Sequence, residues 1–292
     1  MRYNQQMNYV FTAAGCHQGQ PHRGVSYGYT AALSRMSKMS NTNDNVTFID
    51  FRHDKPFEDP IYGSYLIGQK IGKTIEKNSL DDPICLTIGG DHTISFGTVI
   101  SSLRRDPDTK LIWIDAHSDI NSPETSLSGN CHGMPVSYIL GLSTHKGIPD
   151  IPHLKPHNLV YIGLRSVDPA EELILSGLES EGMLRFDASY IKEESIGMIL
   201  WIIEDHFGKS PNIHISLDID SIDPTYAPAT GTPVPNGLSP SDVIEIIRWA
   251  NEYTTKKKVD LDITEINPEL SDLEGACNTY GVVDQILDAY FA

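Results

Sequence analysis

Several classes of protein are excluded by what this sequence lacks. Its four cysteines lie far apart and form no CxxC pair, which argues against a zinc finger or a disulfide framework and fits a reducing compartment. No apolar run is long enough to cross a bilayer. The N-terminus shows no basic region followed by an apolar run, which is the pattern of a signal peptide. We therefore expect a cytoplasmic protein with no membrane partner.

Basic residues are scarce as well. The 22 Lys and Arg residues stand against 39 Asp and Glu residues, which gives a formal net charge of −17. Such a chain repels a phosphate backbone, so we expect no nucleic-acid partner. The acidic excess favours cationic substrates and divalent metals, although it serves solubility alone equally well. The positions of the acidic residues in the sequence must therefore distinguish a binding role from a role in solubility.

Length and composition are those of an ordinary globular protein. The chain has 292 residues, 39% of them hydrophobic, and α/β folds of this size commonly form one domain. The sequence shows no internal repeat, low-complexity tract or linker. We therefore expect a single domain over residues 1–292.

Short apolar runs rich in Val and Ile alternate with longer segments of helical periodicity. This alternation predicts an α/β fold of three layers, with a mostly parallel central sheet between helices. The predicted strands are residues 9–13, 46–51, 84–88, 111–114, 159–163, 213–217 and 259–263. The predicted helices include residues 63–77, 95–105, 195–207 and 241–253, the last capped by Ser239 with Pro240 at its first position. Segments 118–133 and 223–238 are polar and aperiodic, which predicts long loops of functional importance.

Ionisable residues follow four of the predicted strands, at the point where each strand ends. Ligands of parallel α/β sheets bind beyond the carboxyl ends of the strands, so we expect these side chains to meet at one edge. They are His92 after strand 84–88, Asp115, His117 and Asp119 after strand 111–114, Asp218 and Asp220 after strand 213–217, and Glu265 after strand 259–263.

These residue types indicate a metal site. Clustered carboxylates raise one another's pKa unless cations neutralise them. Alternate residues of an extended segment point to the same side, so Asp115, His117 and Asp119 face one site, as do Asp218 and Asp220. Oxygen and imidazole ligands without thiolate favour Mn²⁺ or a similar hard ion over structural zinc. Four aspartates and two histidines suit two such ions, with some carboxylates shared.

The same segments resemble a known family. GGDH at residues 89–92, DAHSD at 115–119 and SLDIDSIDP at 216–224 are similar to the three signatures of the ureohydrolases, which include arginases and agmatinases. IGLR at 162–165, APATGTP at 227–233 and DITEINP at 262–268 extend the resemblance, which runs from about residue 15 to the C-terminus. It implies two manganese ions per subunit. One is held by His92, Asp115, Asp119 and Asp218, and the other by His117, Asp115, Asp218 and Asp220.

The loop after the DAHSD segment resembles that of the arginase branch of the family. The resemblance implies that four neutral side chains hold the α-carboxylate of L-arginine: Asn121, Ser126, Ser128 and Asn130. Neutral donors bind a carboxylate without adding charge. Agmatine has no carboxylate and would leave them unpaired, which disfavours it.

The resemblance also implies roles for the remaining site residues. Asp168 meets the substrate ammonium, with Glu171 nearby, and Thr232 is a further substrate contact. A hydroxide held between the ions attacks the guanidinium carbon, and Asp119 accepts a proton and helps to pass it to the departing amine. Glu265 orients the guanidinium, and His132 shuttles protons to solvent. The products are L-ornithine and urea, and the family typically forms homotrimers or homohexamers.

Other functions stay open on the sequence alone. Within the family, the alternatives are an agmatinase, a guanidinobutyrase or a formiminoglutamase. A zinc deacetylase has a related architecture, but six ligands disfavour a site for one zinc ion. A catalytically silent binding or assembly homologue usually lacks a ligand, and here every expected one is present. The other histidines fit no pattern and are predicted to be bystanders: His17, His22, His53, His145, His153, His157, His206 and His214.

Overall fold

The computed structural model of the protein describes residues 7–33, 44–51, 58–209, 211–254 and 258–292. His53, a predicted bystander, lies outside these ranges. Within them, eight strands form one sheet in the order β2-β1-β3-β8-β7-β4-β5-β6, and every pair is parallel. The strands are β1 Asn8–Ala14, β2 Asn45–Phe51, β3 Ile84–Ile88, β4 Lys110–Ile114, β5 Leu159–Leu164, β6 Leu184–Asp187, β7 Ile213–Asp218 and β8 Asp260–Thr264.

Seven of these strands were predicted, and the α/β fold class is confirmed. The eighth strand, β6, has four residues at the edge of the sheet, and three of them are only half-buried. Its sequence LRFD alternates too briefly to reveal a strand. Edge strands are often this short, because a long exposed edge would pair with other chains.

The helices are α1 Pro60–Lys77, α2 Ile94–Arg105, α3 Pro135–Ile139, α4 Pro169–Ser180, α5 Ala188–Glu194, α6 Ile196–Phe207, α7 Pro240–Tyr253 and α8 Leu273–Phe291. Local sequence explains several of their starts. The predicted cap of α7 is confirmed, because the Ser239 side chain accepts a hydrogen bond from the Asp242 amide. Asp59 and Asp272 cap α1 and α8 in the same way. None of the helices in the described ranges combines the length and the apolar character needed to span a bilayer.

Alternate residues of the buried strands pack on opposite faces of the sheet, which produces three layers. In β4, Ile112 and Ile114 join a core with apolar residues of α6, α7 and α8. Leu111 and Trp113 join a second core with residues of α2, α3 and α4 on the other face. Both faces are therefore covered, as expected for a parallel sheet.

The four central strands of the sheet, β3, β8, β7 and β4, are neighbours. Their last residues are in register, with Ile88 beside Ile263 and Leu217 beside both Ile263 and Ile114. The segments that follow these strands therefore start within a few strand spacings of one another. The topology therefore brings together residues that lie far apart along the chain.

Candidate functional site

His92 lies at the centre of the site and is completely buried. It follows a sharp turn after β3, where Gly89 has φ +90° and a Cβ would lie 2.4 Å from the Tyr29 amide nitrogen. The His92 Nδ1 atom lies 3.0 Å from Asp115 Oδ2, 3.0 Å from Asp119 Oδ2 and 3.2 Å from Asp218 Oδ2. None of these contacts has hydrogen-bond geometry, so Nδ1 has no hydrogen-bond partner among the described residues.

The orientation of the His92 ring is fixed by its other contacts. Nε2 lies 3.0 Å from Ser216 Oγ, and that hydroxyl donates onward to Ser95 Oγ at 2.8 Å. Nε2 therefore donates to Ser216, and Nδ1 points at the carboxylates. The ring also stacks on Trp113 with centroids 4.1 Å apart. Burial would lower the pKa of His92, but the carboxylates of Asp115, Asp119 and Asp218 outweigh it and raise that pKa well above its usual value. A bound cation at Nδ1 would replace the proton that these carboxylates favour.

A second group of ligand atoms forms around His117. Its Nδ1 lies 3.2 Å from Asp220 Oδ2 and 3.5 Å from Asp115 Oδ1. One carboxylate oxygen of Asp115 therefore lies beside His92 and the other lies beside His117. Two sets of three side chains could each hold an ion: His92 with Asp115 and Asp119, and Asp115 with His117 and Asp220.

Asp218 stands between these two sets without completing either. Its Oδ1 accepts a hydrogen bond from the Asp220 amide at 2.8 Å, while its Oδ2 faces His92. Thr232 donates to Asp220 Oδ2 at 2.9 Å and orients that carboxylate. All six predicted metal-ligand residues are therefore brought together, as the strand ends predicted.

The electrostatics of the site show a shortage of positive charge. Burial, together with the charge of Asp115, raises the pKa of Asp119 to about 7. Burial and the nearby Asp220 raise the pKa of Asp218 well above its usual range. Burial also opposes ionisation of Asp115, but the two histidines outweigh it and hold the pKa of that carboxyl low. Carboxylates forced together in this way favour a bound divalent cation.

Two residues of the site have left-handed backbone conformations that are costly without glycine. Asp119 has φ +50° and Glu265 has φ +59°. Each is held by neighbouring backbone: the Asp119 carbonyl accepts from the Val136 amide at 3.0 Å, and the Glu265 amide donates to the Gly90 carbonyl at 2.9 Å. These conformations aim both carboxylates toward the histidines.

A cavity of about 150 Å³ opens beside the ligand cluster. It is lined by His117, Asp119, Asn121, Ser128, His132, Gly133, Ser166, Asp168, Glu171, Asp218 and Thr232. Five of the predicted substrate residues are among these. The other two, Ser126 and Asn130, lie outside the lining, and the Ser126 hydroxyl accepts from the Gly129 amide at 3.0 Å. A larger groove of about 810 Å³ lies between α6 and α7, away from these residues.

Two of the lining acids differ in what they already contact. Asp168 Oδ2 lies 3.5 Å from Asn121 Nδ2 at the cavity wall. Glu171 instead turns back to accept the Asp168 amide at 2.9 Å, at the start of α4. Glu171 therefore serves the helix N-terminus, where an acid also meets the helix dipole.

His132 lines the cavity and is held there by two contacts. Its amide donates to the Gly19 carbonyl at 3.1 Å, and its Nδ1 lies 3.0 Å from Glu265 Oε1. Burial would lower the pKa of His132, but the Glu265 carboxylate outweighs it and raises that pKa to about 9. Glu265 is buried outside the cavity lining, and the same oxygen accepts the His92 amide at 2.8 Å.

Sequence reasoning missed three residues that shape the site. Trp113 donates to Asp115 Oδ2 at 3.1 Å, but within the apolar strand β4 it reads only as core. Ser216 orients His92 from inside β7, where a lone serine carries no signal. Ser166 lines the cavity just after β5, and the rule that ligands gather at strand ends could have identified it.

Comparisons with known proteins show the family of this chain. The model of the Arginase family matches residues 8–285. The chain is similar to an arginase of Neurospora crassa, with 38% identity over 70% of this chain and 59% of that protein. It is similar to "Arginase-2, mitochondrial" of Rattus norvegicus, with 35% identity over 88% of this chain and 77% of that protein. The solved Entamoeba histolytica arginase in complex with L-ornithine has a TM-score of 0.83 and 28% identity, covering 99% and 100% of the two chains.

Proposed function

Because the chain belongs to the arginase family of ureohydrolases, we propose that it hydrolyses L-arginine to L-ornithine and urea with two manganese ions per subunit. The observation that carries this proposal is the sharing of Asp115 between two ligand sets at the wall of a cavity. Apart from the proposed metal ligands, neutral polar side chains, His132 and two acids, Asp168 and Glu171, line that cavity. It thus offers separate places for metal ions, a carboxylate and an ammonium group.

The residues present fit the two ions. His92, Asp115, Asp119 and Asp218 would hold one, and His117, Asp115, Asp218 and Asp220 the other. When bound, such ions supply the Lewis acidity that makes water a nucleophile near neutral pH. The hydrogen bond from His92 to Ser216 keeps the His92 Nδ1 lone pair directed at the first position.

The chain's own side chains would handle the protons. Asp119 lines the cavity, and its carboxylate would accept a proton and return it to the leaving amine. His132 stands at the same cavity, and its imidazole is the group best placed to exchange protons with solvent. Glu265 keeps this imidazole in place and would orient the guanidinium through charge-assisted hydrogen bonds.

The substrate carboxylate would be held by neutral donors. Asn121 and Ser128 line the cavity, and Asp168 beside Asn121 provides the charge for an ammonium group. We expect Thr232 and Glu171 to contribute less directly, because Thr232 is bonded to Asp220 and Glu171 to the start of α4. Ser126 and Asn130 lie outside the cavity lining and remain proposed contacts of the carboxylate.

A substrate panel tests this proposal. The manganese-loaded protein is given L-arginine, agmatine, 4-guanidinobutyrate and formiminoglutamate, and product release is measured. We expect the highest kcat/KM with L-arginine, since agmatine and guanidinobutyrate each lack one of the two charged groups. In the Ser128→Ala variant we expect KM for L-arginine to rise about tenfold with little change in kcat, because a ground-state hydrogen bond is lost.

The alternatives predict different results in the same panel. A preference for agmatine that survives Ser128→Ala would make the protein an agmatinase. Two metal ions per subunit without turnover of any substrate would make it a silent binding homologue. One zinc ion with release of acetate from an acetylated amine would indicate a deacetylase.

We also propose that the chain assembles into a homotrimer or homohexamer. Support comes from the surface between α6 and α7, where Trp201 is 64% exposed beside the large groove. A large apolar side chain this exposed beside a groove supports an interaction surface there. The groove carries Arg248 among three glutamates, so it offers both charges to a second copy. Sedimentation analysis of the wild type and of Trp201→Glu would test this, with dissociation expected in the variant.

Two further expectations remain proposals. Residues 1–292 are proposed to form a single domain, which limited proteolysis would test. The protein is proposed to act in the cytoplasm, which cell fractionation would test. A mitochondrial fraction would contradict the second expectation.

A further inference from the structure

Asp91 is a buried carboxylate that belongs to neither set of metal ligands. It has no exposed surface, and it directly precedes His92. Its oxygens are occupied by protein donors rather than by the ligand cluster. Oδ2 accepts the Gly19 amide at 2.8 Å, while Oδ1 accepts the Thr93 amide at 3.1 Å and the Thr93 hydroxyl.

Asp91 joins the end of β3 to the loop that follows β1. Besides the bond from Gly19 to its side chain, its own amide donates to the Cys16 carbonyl at 3.0 Å. Two hydrogen bonds therefore fix this loop against the turn that carries His92. A charged acceptor makes the Gly19 bond stronger than one between neutral groups.

The space at Gly19 leaves no room for a side chain. A Cβ there would lie 2.6 Å from Thr93 Cγ2 and 2.7 Å from Asp91 Oδ1. The backbone at Gly19 thus approaches the carboxylate as closely as glycine permits. Any larger residue would push the loop away from Asp91.

Gly19 contacts Asp91 through its amide and His132 through its carbonyl. Its carbonyl accepts the His132 amide at 3.1 Å, so a continuous path runs from the Asp91 carboxylate through the Gly19 backbone to His132. At its far end, the His132 ring meets Glu265 at 3.0 Å. The ring contact fixes Nδ1, and the backbone contact fixes where the ring stands over the cavity.

We propose that Asp91 is a positioning residue, which fixes His132 over the cavity through the backbone of Gly19. This inference rests on the proposed role of His132 in proton exchange. It assigns Asp91 no contact with substrate and no part in holding metal. Its effect on turnover must therefore pass through His132.

A double-mutant cycle tests this path. Urea release from L-arginine is measured for the manganese-loaded wild type, Asp91→Asn, His132→Asn and the double variant. Asparagine keeps the shape of Asp91, but its side-chain NH₂ group cannot accept the hydrogen bonds that Gly19 and Thr93 donate. We expect kcat to fall roughly tenfold in Asp91→Asn, with KM within about twofold and two metal ions still bound per subunit. In the His132→Asn background, the same substitution should leave kcat unchanged.

Controls separate this role from general damage. Asp81→Asn makes the same chemical change at an exposed aspartate and should leave kcat unchanged. Gly19→Ala disrupts the middle of the path and should reproduce the loss of kcat. When it is combined with His132→Asn, it should cause no further loss. It supplies the measurement if Asp91→Asn does not fold.

The outcomes are distinct. A full kcat in Asp91→Asn, or an equal loss in both backgrounds, overturns the positioning role while the proposed role of His132 stands. A loss of bound metal in Asp91→Asn overturns it as well, since the residue would then act through His92. An unchanged kcat in His132→Asn instead removes the proposed role of His132, and the positioning role with it.

Discussion

Two groups of histidines and aspartates, buried except for the half-buried His117, lie in this sheet and at its strand ends, and they differ in what surrounds their carboxylates. The edge cluster is the site at the strand ends: His92, Asp115, His117, Asp119, Asp218 and Asp220. The inner cluster lies where α2 packs on β7 and β8, and comprises Arg105, His214, Asp260 and Asp262. The residue types are similar, but Asp119 and Asp218 of the edge cluster line the cavity that also carries Asn121 and Asp168.

In the inner cluster, the protein supplies its own donors. Asp260 Oδ2 accepts from Arg105 Nη2 at 2.6 Å and from Ser102 Oγ at 2.9 Å. Its other oxygen accepts the Cys85 amide at 2.9 Å. Burial opposes the Arg105 charge, yet Asp260 holds the pKa of Arg105 above its usual value.

The second carboxylate of the inner cluster is matched as well. Asp262 Oδ2 lies 2.9 Å from His214 Nε2 and also accepts the Thr98 hydroxyl. The other ring nitrogen of His214 lies 2.8 Å from Ser102 Oγ. The contrast teaches that a buried histidine and aspartate cluster indicates a metal site only where the protein leaves its lone pairs unmatched.

The largest effect is expected from removing the ligand that both ion positions share. In Asp115→Asn, a weaker amide ligand replaces a carboxylate, and we expect urea release to fall roughly ten-thousandfold, equivalent to about 5 kcal/mol. Bound manganese should drop below two ions per subunit. The ion-free protein should stay folded by circular dichroism, because one of several repelling charges is removed. Full activity with two ions bound in Asp115→Asn would contradict the conclusion that the edge cluster is a metal site and the inner cluster is not.

The inner cluster should respond in stability instead. Arg105→Met leaves the Asp260 carboxylate buried without its cation, and we expect a loss of about 3 kcal/mol in the free energy of unfolding. Urea denaturation at fixed protein concentration measures it. Arg104→Met, at the exposed neighbouring position, should cost less than about 1 kcal/mol. Turnover per metal-loaded subunit should not change in Arg105→Met. A loss of bound metal from this variant would contradict the purely structural role of the inner cluster.

The edge cluster should also make metal binding depend on pH. The pKa of Asp119 is about 7 in the ion-free protein, so this carboxyl is mostly protonated at pH 6 and ionised at pH 8. Manganese needs the ionised form, so protons are released on binding. We expect calorimetry to show affinity at least about tenfold weaker at pH 6 than at pH 8. Arg105→Met should keep this dependence, and an affinity independent of pH would contradict it.

A smaller effect is expected at the serine that orients His92. Ser216→Ala removes the acceptor for Nε2, and we expect manganese affinity to fall about tenfold. The free energy of unfolding should change by about 1 kcal/mol or less. Ser101→Ala is the matched control, because the Ser101 hydroxyl is buried without a hydrogen-bond partner in the described part of the chain. Equal metal affinity in Ser216→Ala and Ser101→Ala would show that metal binding does not depend on the hydrogen bond between Ser216 and the His92 ring.

The edge cluster could be predicted from the sequence because a parallel sheet sends every carboxyl end to the same side. Knowing that Asp115 and Asp218 each end a strand was enough to place them together. The inner cluster could not be predicted in this way. His214 was interpreted as a bystander because its partners depend on which helix covers the strands, and no local pattern reports that packing.

The loop around the cavity shows a similar limit. The resemblance placed Asn121, Ser126, Ser128 and Asn130 together, but only the first and third line the cavity. Loop conformation follows from turns such as the one that the Ser126 hydroxyl closes with Gly129. Residue identity therefore predicted the chemistry of the loop, but not which of its side chains face the cavity.

The left-handed backbone at Asp119 has a consequence for laboratory evolution. Glycine there would relieve backbone strain of about 1 kcal/mol and remove one of several repelling carboxylates. A selection that rewards only survival of heating would therefore favour glycine at this position. Turnover would be lost there first, while the rest of the protein became more robust.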